Sequence, residues 1–155
     1  MRKILFTLLL LVVAIGANAK KTIEYSLESA GSGVQGTYLV KVWITSSSKK
    51  VSDDEILYGA IHGVIFRGFG GSQGMPAQRP MAPSITVEQQ KADYFDKFFG
   101  KEGAYKAFAT IVAGSYQRTK TPKGYKVGAT VQVQKDNLRK ELEQSGIIKG
   151  LSSGF

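Results

Sequence analysis

The run TYLVKVWIT (37–45) alternates without interruption: Tyr38, Val40, Val42 and Ile44 fall on one side, and Leu39, Lys41, Trp43 and Thr45 on the other. Side chains of a strand point alternately to opposite faces, so this spacing predicts a central strand with one fully apolar face and one covered only in part. GYKVGATVQVQ, near the other end of the chain, repeats the pattern with Val127, Ala129, Val131 and Val133. Before it stands YQRTKTPKG, whose Thr-Pro-Lys-Gly supplies turn chemistry for a hairpin. KTIEYSLE, alternating Ile23, Tyr25 and Leu27, predicts another half-buried strand, and SAGSGVQG a break after it.

Helical spacing fills the interval. Ser52 followed by Glu55 is a capping box, and Asp53 and Asp54 suit the positive helix N-terminus. Leu57, Ala60, Ile61, Val64 and Ile65 then recur with helical period, and Gly68 is placed to end the helix. Gly59 and Gly63, four apart, favour close approach of this helix to a sheet or neighbour. Residues 68–84 have no apolar period and predict a long exposed loop, of a length often tied to function. From Ile85 the pattern is helical again, with Ala92, Phe95, Phe98 and Phe99 on one stripe, an interruption at Gly100, and Tyr105 and Phe108 beyond it. KDNLRKELEQSGI predicts a last amphipathic helix, with Leu138 and Leu142 inward and Gly146 at its C-cap. The order implies a single α+β domain over 20–155: a two-layer sandwich, mostly antiparallel, with helices packed on one face.

The first nineteen residues read as a cleaved signal peptide. Arg2 and Lys3 precede an apolar run from Ile4 to Ile15, and Ala17-Asn18-Ala19 offers small side chains at a cleavage site. The run is too short to anchor in a bilayer about 30 Å thick, so no integral span is expected after cleavage. The chain has no cysteine, which rules out a lipid-anchoring cleavage-site cysteine and disulfide staples; residues 20–155 must fold on their core alone. These features predict an exported protein in the periplasm or on the outer surface of a Gram-negative bacterium. Net charge is +9, of which Arg2 and Lys3 supply two, leaving +7 on residues 20–155. That favours an anionic glycan or lipid head group as ligand. No block of like charge or basic helix argues for nucleic acid.

No catalytic constellation emerges. The glycines of GFGGSQG follow a helix, whereas a phosphate-cradling loop precedes one. GGSQG places Ser72 in the nucleophile position of G-x-S-x-G, but a strand should lead into that serine, and the only histidine, His62, lies before it. Ser32 and Ser115 have no nucleophile context. One histidine and no cysteine argue against zinc, so His62 is expected as a boundary residue, and no cofactor or metal is expected. Most aromatics lie on stripes expected to be buried; Trp43 is the exception. An interface, if the protein binds a partner, is expected at Trp43, Arg67, Phe69, Met75, Arg79 and Met81, on or beside segments expected to be exposed.

Residues 124–147, GYKVGATVQVQKDNLRKELEQSGI, together with YGAIHGVI after the early strand, resemble the small exported α+β domains of bacterial envelope lipoproteins and of flagellar and curli assembly factors. The chain as a whole resembles small secreted proteins of the Bacteroidetes. The resemblance implies a non-enzymatic envelope protein that works by protein binding or assembly. It carries over no catalytic residue.

Overall fold

A computed structural model describes residues 22–150; the segment read as a signal peptide and the last five residues lie outside them. The elements run β1 (Tyr25–Ser29), β2 (Tyr38–Ser46), α1 (Asp53–Phe66), α2 (Thr86–Gln90), α3 (Ala92–Phe98), a 3-10 helix (Ala104–Phe108), β3 (Ala109–Ile111), β4 (Gln117–Thr121), β5 (Gly124–Val133) and α4 (Lys135–Gln144). All strand pairs are antiparallel. The order is β1–β2–β5, and β3 and β4 share the outer edge of β5 end to end. This is the expected α+β architecture.

Register explains the burial. Val40, Val42 and Ile44 stand opposite Val131, Ala129 and Val127, so their side chains share one face. All six are buried, and α1 lies over them with Ile56, Ala60, Ile61, Val64 and Ile65. Each large aliphatic side chain so covered contributes about 1.5–3 kcal/mol. Gly59 and Gly63 set the closeness of that packing: a Cβ on Gly59 would lie 3.0 Å from Val42 Cγ1, and one on Gly63 2.3 Å from Leu27 Cδ1. The capping box forms as predicted, Glu55 N–H donating to Ser52 Oγ (3.2 Å) and Ser52 N–H to Glu55 Oε2 (3.0 Å). Among the described residues no helix is long and apolar enough to cross a membrane.

Three regions differ from the sequence reading. The helical stretch after Ile85 is cut at Lys91, whose backbone (φ −115°, ψ 35°) leaves the helical region and separates α2 from α3. The first arm of the hairpin is also divided. Ile111 pairs with Val131 and Gln117 with Gly128, so five residues on one strand face two on the other. Ser115 bridges the gap: its hydroxyl accepts the Thr130 N–H at 3.0 Å, which the interrupted ladder would otherwise leave without a partner.

The third is the 68–84 loop, which is tied down. Phe69 and Gln78 exchange backbone hydrogen bonds (3.0 and 2.9 Å), and Gly70 O accepts from Ser29 N–H at 3.1 Å. Met81 and Ala82 donate their N–H groups to Val64 O (3.2 Å) and Ile65 O (2.8 Å), carbonyls at the end of α1 that have no helical partner. Phe69, expected at an exposed interface, is instead 8% exposed, because its ring meets Tyr38 edge-on (5.2 Å, 79°) and closes one end of the core.

Candidate functional site

The six residues expected at an interface do not form one surface. Phe69 is buried, and Met81 is half-buried against the core. Met75 is half-buried, its sulfur accepting from Ser32 Oγ (3.4 Å), and Arg79 is exposed. Arg67 lies over the Tyr25 ring (4.2 Å to the centroid) and donates to Tyr25 O (3.3 Å), on the helix-covered side. Trp43 stands on the opposite face of the sheet.

That opposite face is uncovered. Its residues on β2 and β5 are half-buried or exposed, Gly128 apart. Trp43 lies across Gly128, where an added Cβ would sit 2.4 Å from Trp43 Cε3, so the missing side chain makes room for the ring. Lys41 and Lys126 hold their ammonium groups 4.9 and 5.2 Å from the Trp43 centroid, within cation–π range. Glu28 accepts from Trp43 Nε1 (3.2 Å) and fixes the ring in its plane, and Lys41 donates to Gln117 Oε1 (2.6 Å). None of β2, β3, β4 or β5 contains a carboxylate. On the β4–β5 hairpin Lys126 shares that face, whereas Arg118 and Lys120, paired with Val127 and Tyr125, belong to the other; Lys123 lies in the turn, and Lys49 and Lys50 follow β2, Lys49 reaching 5.9 Å from the Tyr125 ring. Among the described residues none of these six cations is within ion-pair distance of a carboxylate.

His62 is no boundary residue. It is buried, and both ring nitrogens have partners from distant segments. Tyr25 Oη donates to Nδ1 (2.5 Å), which assigns the proton to Nε2, and Nε2–H donates to the Glu88 carboxylate (3.1 and 3.2 Å). Tyr58 stacks on the ring (5.0 Å, 27°), and Phe66 and Phe99 flank it. Burial among these rings pushes the His62 pKa below its usual 6.5; Glu88 opposes the shift and Arg67 adds to it. Burial also raises Tyr58, to about 12, and drives Tyr25 upward, so both stay neutral phenols. With its two nitrogens engaged, His62 is not available to Ser72, whose loop is held by a Met75 N–H to Ser72 O bond (2.9 Å).

The neutral imidazole makes stability depend on pH. A depressed folded pKa means that the unfolded chain takes up a proton the native state resists. The His62 contribution is therefore complete above 6.5 and declines as pH falls through and below that value. Between about pH 7 and about pH 5, the urea midpoint of the wild type is expected to fall more steeply than that of His62→Gln. Parallel slopes would show that His62 is protonated at no cost.

Sequence reasoning also missed a recess of about 510 Å³ between α1, the α2–α3 pair and the 3-10 helix. Tyr58, Phe95, Phe99 and Tyr105 line it, and Glu88 brings the His62 network to its wall. Tyr58, Glu88 and Tyr105 come from three separate elements, and only the stripe of aromatics on α3 hinted at the site. The chain matches no known protein family, no curated protein and no solved structure.

Proposed function

We propose that this chain is an exported, non-enzymatic binding protein of the bacterial envelope that holds an anionic polymer, an acidic glycan in the first instance, on its open sheet face. The observation that carries this reading is the absence of carboxylates from the strands β2, β3, β4 and β5 themselves, with Lys41 and Lys126 set about Trp43. An indole flanked by ammonium groups suits a sugar ring bearing a carboxylate or sulfate: the ring stacks and the charges pair. Lipid head groups present the same charge without the stacking surface. Assembly with another envelope protein, which the family resemblance implies, drew part of its sequence motive from the long exposed 68–84 loop. That loop is pinned at Phe69, Gly70, Gln78, Met81 and Ala82, which shifts the weight to the sheet.

Retention on immobilised heparin tests the reading, with phosphatidylglycerol vesicles as the second arm. The wild type is expected to bind at low salt and elute as ionic strength rises. Lys41→Glu/Lys126→Glu should elute at distinctly lower salt. Lys91→Glu/Lys97→Glu changes the net charge equally but on the helical side, and should elute near the wild type. Equal losses in the two double variants would reduce the interaction to bulk charge and remove the site.

A further inference from the structure

The recess on the helical side is opposite in character to the sheet. Its walls are the rings of Tyr58, Phe95, Phe99 and Tyr105, and the carboxylates of Asp54, Glu55, Glu88 and Asp96 also line it. Among the described residues no lysine or arginine contributes to the lining, in a chain of net charge +9. An anion placed there would lie against the Glu88 carboxylate and is repelled. A neutral apolar ligand would desolvate the part-exposed Glu88 carboxylate without pairing its charge, at a cost. Among the described residues no three acidic or histidine side chains are grouped to hold a metal ion. What remains is an organic cation, whose charge pairs with carboxylate and whose alkyl surface packs on the rings.

Glu88 is the residue built for this. Asp54 is paired with Lys106 (2.7 Å), and Glu55 serves the capping box. Glu88 is held by the imidazole of His62, which Tyr25 orients from behind, so the carboxylate is positioned before any ligand arrives. Fixing a counter-charge in advance lowers the ordering cost of binding. The volume lies within the range of small-ligand sites, about 300–1,000 Å³.

We propose that this recess binds an alkylammonium group, with Glu88 as its counter-charge and Tyr58, Phe99 and Tyr105 as its aromatic enclosure. The site is independent of the sheet face, and its test does not involve polymer binding. Choline chloride, N-acetyl-lysine methylamide and 3,3-dimethylbutan-1-ol, the neutral isostere of choline, are titrated at constant ionic strength. Aromatic NMR resonances of Tyr58, Phe99 and Tyr105 report occupancy. At least one ammonium probe is expected to saturate, about tenfold more tightly than the neutral alcohol. Saturation by choline alone assigns the site to quaternary head groups, and by the lysine amide alone to a peptide side chain; both support the proposal. Glu88→Gln should bring the ammonium affinity down to that of the alcohol while leaving the alcohol unchanged, which shows that the recess is still formed. Tyr58→Leu should weaken the ammonium probes selectively.

Equal affinity for choline and its isostere would overturn the proposal, as would the absence of saturation by any probe.

Discussion

Gly68→Ala is expected to destabilise the protein by about 3 kcal/mol, lowering Tm by on the order of 10 °C. Gly68 has φ +67°, and its N–H donates to Gly63 O (2.8 Å), closing α1 as the chain turns into the loop. A Cβ there would lie 2.2 Å from Gln78 O and 2.9 Å from Pro80 N. Both are backbone atoms of the segment that returns to cap α1, so no rotamer relieves the clash. Gly74 supplies the control. Its φ is +79°, but a Cβ would meet nothing within 4 Å, so Gly74→Ala carries only the left-handed strain of about 1 kcal/mol. Thermal and urea unfolding of the two variants separate contact from conformation. Equal losses would mean that the loop is free to move away from the helix end.

Gly128→Ala is expected to weaken heparin retention as strongly as Lys41→Glu/Lys126→Glu, with no change in charge. The new methyl group would fall 2.4 Å from Trp43 Cε3, 2.7 Å from Trp43 Cδ2 and 2.8 Å from Val42 O. The indole has to lift away from the sheet, which breaks its hydrogen bond to Glu28 and its alignment with the two lysines. Overpacking of this kind costs about 1–3 kcal/mol. Trp43 is the only tryptophan, so its fluorescence reports the displacement directly, with a red shift as the ring gains solvent. A shifted spectrum with unchanged elution would remove the indole from the binding site and leave the lysines alone responsible.

Elements whose determinants are local were legible in the sequence. The alternation of Val40, Val42 and Ile44 specifies a strand face whatever lies beyond it. Ser52 and Glu55 cap a helix by contacts three residues apart, and Pro122 and Lys123 form the two-residue turn between Thr121 and Gly124. The loop was not legible, because backbone hydrogen bonds and the isolated buried residues Phe69 and Ala82 hold it, and neither leaves a period. The division between β3 and β4 depends on a serine hydroxyl replacing a main-chain partner, an option that alternation does not reveal.

The site residues were hidden for a related reason. Each had a sufficient local explanation: Asp54 and Glu55 as helix-start residues, Asp96 on the polar side of α3, His62 beside an apolar stripe. Their convergence depends on contacts across 37 residues, from Tyr25 to His62, and across 26, from His62 to Glu88. Trp43 was legible as an aromatic outside the core, because its strand neighbours Lys41 and Thr45 already marked that face as open.

The separation of carboxylates from strands has a consequence in the electric field of a charged surface. Of the twelve acidic residues only Glu28 lies in a strand, while the sheet and its hairpin carry cations that form no ion pair among the described residues. The protein is therefore an electric dipole as well as a cation, and a negatively charged surface exerts a torque on it in addition to an attraction. Screening confines that torque to about the last 8 Å of approach at physiological salt. Within that distance the molecule turns sheet-first before contact, and the aromatic recess among the helices is left facing the surrounding medium.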